Sequence, residues 1–325
     1  MLHPKYELKI GAATFKPDAS NECINIHTIS SMDSPSDLFE GTFRIGGQAS
    51  KTKKEDPVTI SLGYEDDLTQ VFEGKIDELS HKMFDVNLTA YSSIFSLCTF
   101  RADKFYEKRT AGQIVTDLAK DAQVQQDEIS DGVKFPYYAV DSNKNGYDHI
   151  QKLAGICGFD KYFTNKNKLV FKKYVPANKH KLTFGKNILK IKRVDNTPIL
   201  KGTVVIGESP ASLKGADTSH WIKKKPLRAV SGQEGQSLKI INRAIKDDQT
   251  ARKVAEENLN TIKTQLIVVI DMVGDPKILL GDAAVIEEIP NKEMNGEFQI
   301  RSIEHYFSKN YGFVTSLKCK GKSKE

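Results

Sequence analysis

The residues best placed to do chemistry are those from Asp141 to Gly146, DSNKNG, which match the first half of a calcium-binding EF-hand loop. Such a loop needs oxygen ligands at alternate positions and a glycine for its turn. Its twelfth position should be a bidentate glutamate, but Lys152 stands there, and the Phe-Pro-Tyr segment 135–137 does not suit an entering helix. We therefore interpret the stretch as a turn that ends in an Asx cap for the following helix.

Histidines and cysteines are the next candidates, as metal ligands or nucleophiles. The seven histidines form neither an HExxH pair nor a Cys-His cluster at zinc spacing. His81 and His305 occupy matching positions in two predicted hairpins, and we interpret both as turn or packing residues. The cysteines contain no CxxC pair, which predicts buried thiols rather than a zinc site or a disulfide framework. They are Cys23, Cys98, Cys157 and Cys319.

Signatures of hydrolases and nucleotide-binding enzymes are missing. The sequence has no GxSxG elbow, no P-loop and no GxGxxG after a predicted strand. Adjacent carboxylates occur at Asp66-Asp67, Asp247-Asp248 and Glu287-Glu288. Neighbours on a strand point to opposite faces, and nothing singles out a glycosidase pair, which stays open as an alternative. The pattern predicts a protein that is not an enzyme and that has no cofactor or metal.

Length and charge set wider bounds. A chain of 325 residues predicts two or three domains. Its formal net charge of +6 is mild for this length and does not require a nucleic-acid partner. No apolar run reaches the roughly 18 residues of a membrane span, and the N-terminus has no signal-peptide core. We expect synthesis in the cytoplasm and no membrane partner.

Two clusters of basic residues are candidate contact sites. Lys223–Lys225 follow closely on Trp221, the only tryptophan. Alternating lysines also run through the last predicted strand and beyond it, at Lys318, Lys320, Lys322 and Lys324. Both clusters fit solvated surface, and both also fit contact with an acidic surface of another protein.

Residues 1–98 are predicted to form a first β domain. Runs of alternating apolar residues between turn residues give six candidate strands. They are Tyr6–Ile10, Cys23–Ile29, Leu38–Ile45, Val58–Tyr64, Gln70–Ile76 and Asp85–Tyr91. Short strands at this spacing favour a small closed barrel or a sandwich, because closure removes exposed edges. The lysine-rich segment Ser50–Asp56 is expected to be an exposed loop.

Residues 99–175 are predicted to form an α+β insert. Thr110 and Gln113 make a capping box for a helix at about 110–122. A second helix is expected at about 145–157, with Gly158 as its left-handed cap. A hairpin of Phe159–Phe163 and Leu169–Tyr174 follows.

Residues 176–325 return to strands and are predicted to form a second β domain. A long loop is expected at Gly207–Gln236, and a helix with an apolar stripe at about 248–266. The candidate strands are Leu182–Phe184, Ile188–Val194, Ile199–Ile206, Ser237–Ile241, Ile267–Met272, Ala283–Glu288, Phe298–Tyr306 and Phe313–Cys319.

The two β domains share a pattern that indicates an internal repeat. The segments Gly74–His81 and Phe298–His305 each place an isoleucine two residues after the start and a histidine at the end. Each leads through a polar turn into a strand with alternating apolar residues. We therefore predict a β-rich α+β fold, with two similar small β-barrel domains, an α+β insert, and one extra helix in the second barrel region.

A series of short motifs also occurs in a fixed order along the chain. They are FEGKID at 72–77, RTAGQIV at 109–115, YDHIQKLA at 147–154, GFD at 158–160, LVF at 169–171, LGD at 280–282 and NGEF at 295–298. This order resembles that of the baseplate hub proteins of contractile phage tails and related contractile injection systems, the late-control D family. It is also similar to the N-terminal hub part of VgrG, and the likeness covers about residues 5–320.

The resemblance implies a function in assembly. Hub proteins of this family trimerise, and their two barrels per subunit give a pseudo-sixfold ring between a sixfold tail tube and a threefold spike. It implies a spike protein and a tube protein as partners, with tape-measure and baseplate wedge proteins as further ones, in a tail or injection-particle baseplate. The chain ends at Glu325, before any spike domain of the VgrG type, so we expect the spike to be a separate protein contacted by Lys318, Lys320, Lys322 and Lys324. A tail-tip cell-wall hydrolase and a carbohydrate-binding tail-tip protein are the alternatives.

Overall fold

The computed structural model describes residues 3–17, 22–35, 37–195, 200–208, 227–263 and 266–321. It is rich in β-structure, and its described residues hold four α-helices. A single thirteen-stranded sheet contains most of the strands of both predicted β domains. Three smaller sheets lie outside it.

The first β region matches the predicted strands and adds one short strand. Its strands are β1 (Pro4–Ile10), β2 (Ala13–Phe15), β3 (Cys23–Ser31), β4 (Leu38–Arg44), β5 (Pro57–Tyr64), β6 (Asp67–His81) and β7 (Asp85–Tyr91). A 3₁₀ turn at Gln48–Lys51 begins the segment that was predicted to be a loop.

The segment that follows contains both predicted helices. Its elements are α1 (Ile94–Thr99), β8 (Lys104–Thr110), α2 (Ala111–Asp121), β9 (Gln126–Ile129), β10 (Lys134–Val140), α3 (Gly146–Cys157), β11 (Asp160–Phe163) and β12 (Leu169–Lys172). The capping box is confirmed, because the Thr110 hydroxyl accepts from the Gln113 N–H and the Gln113 side chain accepts from the Thr110 N–H. Gly158 ends α3 with φ 64°, the predicted left-handed cap.

The last part of the chain holds nine strands and one helix among its described residues. They are β13 (Lys179–Thr183), β14 (Ile188–Asp195), β15 (Gly202–Ile206), β16 (Arg228–Gly232), β17 (Ser237–Ile241), α4 (Asp248–Lys263), β18 (Leu266–Val273), β19 (Ala283–Glu287), β20 (Gly296–Ser308) and β21 (Gly312–Gly321). Short 3₁₀ turns lie at Glu234–Gln236 and Lys292–Met294.

Two predictions for this part are wrong. The helix predicted to reach residue 266 ends earlier, because Leu266 is the first residue of β18, whose β-branched run favours a strand between β14 and β21. The loop predicted at Gly207–Gln236 contains β16, which pairs antiparallel with β15. Residues 209–226 of that loop, with Trp221 and Lys223–Lys225, lie outside the described residues.

Six strands in each β region are hydrogen-bonded in the same order, and we call these sets repeat 1 and repeat 2. Across the sheet, repeat 1 runs β1-β5-β6-β7-β4-β3 and repeat 2 runs β13-β19-β20-β21-β18-β14. In chain order, each strand of repeat 1 has its counterpart at the same place in repeat 2. Four of the five pairings are antiparallel in both repeats. Only the outermost differs, since β1 is antiparallel to β5 whereas β13 is parallel to β19.

The equivalence of the two predicted hairpins is confirmed residue by residue. β6 has a β-bulge at Asp77, directly after Ile76, and β20 has one at Arg301, directly after Ile300. A bulge leaves one residue unpaired and bends its strand, so a shared position is a specific feature rather than a general property of hairpins. The hairpins thus agree in register, in strand order and in the place of their irregularity.

A tight turn before β5 also recurs before β19. The carboxylate of Asp56 accepts from the backbone N–H three residues earlier at 2.8 Å, and that of Asp282 does the same at 3.2 Å. The residue before each aspartate is left-handed, Glu55 with φ 69° and Gly281 with φ 86°. Glycine takes this conformation without strain, whereas glutamate adopts it at some cost.

The two repeats fill equivalent core positions with different residues. Three matched buried positions of one strand pair are Phe39, Gly41 and Phe43 in β4, and Val268, Ile270 and Met272 in β18. In β4 the two rings fold over the glycine, because a Cβ on Gly41 would lie 2.4 Å from the Phe39 ring. Large, small and large side chains in one repeat therefore replace three medium ones in the other, as expected for cores that conserve volume.

The two repeats are joined through one strand pairing. Beyond its bulge, β20 leaves β19 and pairs antiparallel with β3, from Ser302 opposite Ser31 to Ser308 opposite Asn25. The sheet is therefore continuous across both β regions.

The described residues form three apolar cores. The first is formed mainly by repeat 1 but also contains Phe307 and Phe313 of repeat 2, and the second is formed mainly by repeat 2. The third fills what we call the middle body, which combines residues 94–172 with residues 202–263. Ala251, Val254 and Ala255 of α4 are fully buried in this third core, together with residues of α2 and α3. The predicted domain boundaries stay a prediction, but α4 packs with the insert and not with the sheet of repeat 2.

Candidate assembly surface

Two residues that were candidates for chemistry, Asn145 and His305, make contacts that stabilise the fold. Asn145 caps α3, since its Oδ1 accepts from the Asp148 N–H at 2.8 Å, as the Asx-cap interpretation predicts. His305 is buried, its Nδ1 lies 3.0 Å from the Thr315 hydroxyl, and burial lowers its pKa to about 3. His81 is exposed at the end of β6. Within the described ranges, no group of three His, Cys, Asp or Glu side chains is placed to hold a metal ion.

A cluster of charges lies where repeat 1, the middle body and repeat 2 meet, and we call it the three-way junction. The bulge in β20 directs Arg301 into it. The guanidinium donates to Asp33 of repeat 1 at 2.7 and 2.9 Å, and to Asp160 of β11 at 2.6 Å. Gln299 donates to the other Asp160 oxygen at 2.5 Å. One side chain of repeat 2 thus ties the other two parts of the molecule together.

Two buried ionisable side chains, Asp37 and Lys161, lie beside this junction. Asp37 is buried, and one of its oxygens accepts from the Ser31 N–H at 3.0 Å while the other has no hydrogen-bond partner among the described residues. Burial raises the pKa of Asp37 to about 7. Lys161 donates to the Met32 carbonyl at 3.0 Å and to the Tyr147 hydroxyl. Burial and then the charge of Arg301 lower the pKa of Lys161 to about 8.

Asp37 should make stability fall as pH rises. Its folded pKa of about 7 exceeds the unfolded value, so the folded state holds the extra proton and loses this advantage as pH rises towards 7. Asp37→Asn removes this titrating group, so the variant should not lose that stability. Between pH 5 and pH 7 the free energy of unfolding of the variant should therefore rise by about 2 kcal/mol relative to that of the unchanged protein. Urea unfolding at both pH values measures this. The exposed Asp66→Asn serves as the control, and an equal pH response in both variants would contradict the prediction.

Two of the lysines predicted to contact a spike lie on β21 at the three-way junction. Lys318 is exposed and its ammonium group lies 3.3 Å from Asp33. Lys320 is half-buried, and burial followed by the charge of Arg301 lowers its pKa. Lys322 and Lys324 lie outside the described residues. The spike contact stays a prediction, and the structure adds that Lys318 already has an intramolecular partner.

The face of the sheet turned away from the cores is polar where the repeats join. A shallow hollow of about 320 Å³ lies there, across β20, β3, β4 and β7. The two ring nitrogens of His27 lie close to carboxylates of both repeats. One is 3.6 Å from Glu304 of repeat 2 and the other is 3.4 Å from Glu40 of repeat 1. Hydrogen bonding to Glu304, and secondarily to Glu40, raises the pKa of His27. This polar face suits contact with water or with a polar partner surface.

Among the strand edges that have no strand beside them in the described part of the chain are the outer edge of β14 and the end of β6. β14 pairs as a strand only with β18, and on its other side Ile188 forms a single β-bridge with Phe184. Residues Glu78–His81 of β6, beyond the bulge, pair only with β7. Apolar side chains stand exposed beside both edges, with Met83 81%, Phe84 69% and Leu189 61% accessible. Open edges with exposed apolar groups are typical of surfaces that pair with another chain.

Solved structures of tail proteins share this architecture. A 43 kDa tail protein of prophage MuSo2 from Shewanella oneidensis superimposes with a TM-score of 0.73 at 13% identity, over 97% of this chain and 98% of that one. A tail protein from Neisseria meningitidis MC58 also gives 0.73, at 12% identity over 98% and 96% of the two chains. The chain has the fold of these tail proteins.

A secretion protein extends the comparison. An E. coli component of the type VI secretion system, described as structurally similar to the T4 bacteriophage tail proteins gp27 and gp5, gives a TM-score of 0.61 at 11% identity, over 98% of this chain and 77% of that one. No protein-family model and no curated protein matches the sequence. The resemblance to hub-like tail proteins is thus confirmed as a likeness of fold. None of the described helices is long and apolar enough to cross a membrane.

Proposed function

We propose that this chain is a structural hub subunit of a contractile phage tail or injection-system baseplate, and that three copies form a pseudo-sixfold ring between a sixfold tube and a threefold spike. The observation that carries the proposal is the duplication within one chain. Repeat 1 and repeat 2 share strand order, register and bulge position. Three copies of a chain with two like units present six similar surfaces to one partner and three identical ones to another.

The symmetry of a ring follows from how its copies meet. Copies that meet head to tail through unlike surfaces close into a ring when the rotation between them is right. Each repeat packs against an apolar core, and closure of each into a small barrel would give the ring six similar β-barrel units. The likeness in fold to tail proteins and to a type VI secretion component supports this use of the duplication.

A hub of this kind would have protein partners on both faces of the ring and no catalytic activity. A separate spike protein and a tube protein would bind opposite faces of the ring, with tape-measure and wedge proteins as further partners in the baseplate. Lys318 and Lys320 remain the proposed contact with the spike. The chain acts by geometry and not by catalysis, without nucleic acid or membrane as partners, and the buried contacts of His305 and the capping role of Asn145 support a structural use of these residues.

Measuring the mass of the purified protein tests the proposal. With the candidate spike protein present, light scattering should give a complex that contains three 36.3 kDa chains. Mass photometry across a range of protein concentrations should give the same stoichiometry. A protein that stays monomeric with and without the spike would overturn the hub assignment. Clearing of peptidoglycan that one carboxylate substitution abolishes would favour the hydrolase alternative instead.

A further inference from the structure

We propose that the outer face of repeat 2 binds an acidic segment of a partner protein, and that the equivalent face of repeat 1 does not. The outer face is the side of β14, β18 and β21, or of β3, β4 and β7, that is turned away from the core. Lys318 and Lys320 belong to the outer face of repeat 2. Binding to one chain does not depend on the ring, whereas the number of such contacts in an assembly rests on the proposed function above.

The two outer faces can be matched residue by residue. β3 has a bulge at Ile24 and β14 has one at Leu189, each at the second residue of its strand. From these bulges the strand pairings give equivalent rows of three residues, one from each strand. In repeat 1 the rows across β3, β4 and β7 are Asn25 with Thr42 and Asn87, His27 with Glu40 and Thr89, and Ile29 with Leu38 and Tyr91. In repeat 2 the rows across β14, β18 and β21 are Lys190 with Asp271 and Ser316, Lys192 with Val269 and Lys318, and Val194 with Ile267 and Lys320.

The rows of repeat 2 are basic, and those of repeat 1 are not. Repeat 2 has four lysines and one aspartate at these positions, a formal charge of +3. Repeat 1 has one glutamate and one histidine there, a formal charge of −1 with the histidine neutral. Because the strand pairings of the two faces are equivalent, the difference in side chains sets the electrostatic potential that each face presents to a partner.

The two lysines of β14 are available to a partner. Lys190 and Lys192 are exposed, and neither forms an ion pair within the described part of the chain. Asp271 lies opposite Lys190, but its carboxylate accepts from the Ser316 hydroxyl of β21 at 2.6 Å. The charge of β14 is therefore not neutralised by the neighbouring strand.

Positive charge reaches the same face from β21. Lys318 is exposed, with its ammonium group 3.3 Å from Asp33, and Lys320 is half-buried nearby. Arg301 also binds Asp33, and its other partner is Asp160. Three cations therefore meet two anions at this end of the face, so the internal contacts leave an excess of positive charge.

An apolar strip between the lysines narrows the chemistry of the partner. Val269 lies between Lys192 and Lys318 in one row, and Ile267 lies next to it on the same face. Both are half-buried. Neighbouring strands are about 4.8 Å apart, so the backbones of the two lysines are separated by about 10 Å, with the valine between them.

A protein segment matches this pattern better than a nucleic acid does. In an extended segment, residues two apart point to the same side, so two carboxylates can stand on either side of one apolar side chain. Such a segment would pair its carboxylates with Lys192 and Lys318 and cover Val269 with its apolar group. A phosphate backbone would meet the lysines but would leave the valine uncovered.

The charge difference would make two units with the same strand order bind differently. Glu40 takes the place of Val269 in repeat 1 and would repel a carboxylate there. A partner that recognised only the shape of the sheet would meet six similar units in a trimer. An acidic partner would bind three of them.

Exchanging residues between the repeats tests the proposal. The probe is a fluorescein-labelled peptide with the repeated sequence Glu-Ser-Val-Ser, and fluorescence anisotropy measures its binding. The unchanged protein should bind one peptide per chain, and more weakly as salt increases, because exposed ion pairs are screened. Lys190→Asn with Lys318→Thr gives these positions the residues of repeat 1. It should weaken binding about tenfold, because two exposed ion pairs are lost.

Two matched variants complete the test. Lys166→Asn with Lys239→Thr removes the same charge from exposed positions of the middle body and should leave the affinity unchanged. The reverse exchange places the residues of repeat 2 into repeat 1 and should add a second peptide site to each chain. It combines Asn25→Lys, Glu40→Val and Thr89→Lys.

The outcomes separate this contact from the hub assignment. The contact is overturned if the unchanged protein does not bind the peptide, if both lysine pairs lose affinity equally, or if a peptide with glutamine for glutamate binds as well. Tighter binding of single-stranded DNA than of the peptide would overturn it too. A trimer that fails to bind the peptide would keep the ring and lose the contact. A protein that binds the peptide but never trimerises would keep the contact and lose the hub assignment.

Discussion

Arg301→Met should lower the free energy of unfolding by about 3 kcal/mol, because it leaves the carboxylates of Asp33 and Asp160 without their cation at the three-way junction. The Arg301 and Asp160 side chains are only 16% and 14% exposed, so water replaces the lost partner poorly. Asp33 is more exposed, so water can partly solvate its carboxylate. The expected loss of stability therefore lies at the lower end of the range for breaking a buried salt bridge. Urea unfolding at neutral pH measures the change.

Two further variants make this result specific. Lys277→Met removes an exposed ion pair with Asp67, which also links repeat 2 to repeat 1, and should cost at most about 0.5 kcal/mol. Adding Asp160→Asn to Arg301→Met should recover part of the loss, because it removes the stranded charge. A loss below about 1 kcal/mol in the single variant would contradict the clamping role of Arg301.

Gly41→Ile should be destabilising by about 3 kcal/mol, since the new Cβ would lie 2.4 Å from the Phe39 ring and 2.8 Å from the Phe43 ring. The equivalent strand of repeat 2 indicates which further substitutions should compensate for this loss of stability. Repeat 2 has Val268, Ile270 and Met272 at the equivalent positions, so the triple variant Phe39→Val, Gly41→Ile, Phe43→Met transplants that strand face into repeat 1.

The transplant should be more stable than the single variant, because it restores the total side-chain volume of the strand face. Thr42→Ile on the other face of β4 serves as the control and should change stability by less than about 0.5 kcal/mol. Chemical unfolding of all four proteins decides the matter. A triple variant at least as unstable as Gly41→Ile would show that the two cores are not interchangeable at this strand.

Much of the fold could be predicted from the sequence where one face of an element is buried. β7 was predicted at its observed bounds because Val86, Leu88 and Ala90 alternate with polar residues. The helix after Thr110 was predicted because its cap and its apolar stripe are both local signals. By contrast, β8 was missed, since its residues are all half-buried or exposed and show no buried stripe.

The repeat was found from its hairpins, but its full extent was not. The turns at Asp56 and Asp282 carry the same spacing to the following strand, and aligning KKEDPVTI with LLGDAAVI would have revealed them. The pairing of β3 with β20 could not be predicted, because edge-to-edge contacts between distant strands leave no periodic signal in either strand. The same holds for Arg301, whose partners come from two separate segments.

Biosynthesis must follow an order that the middle body imposes. Val254 and Ala255 complete a core that begins more than a hundred residues earlier with α2 and α3, so this unit stays unfinished on the ribosome until α4 has emerged. Repeat 1 can close first, because most of its core precedes residue 91, whereas repeat 2 waits for the end of the chain. A chain whose translation stops before α4 would therefore expose the apolar surface of the middle body, and such exposure favours aggregation.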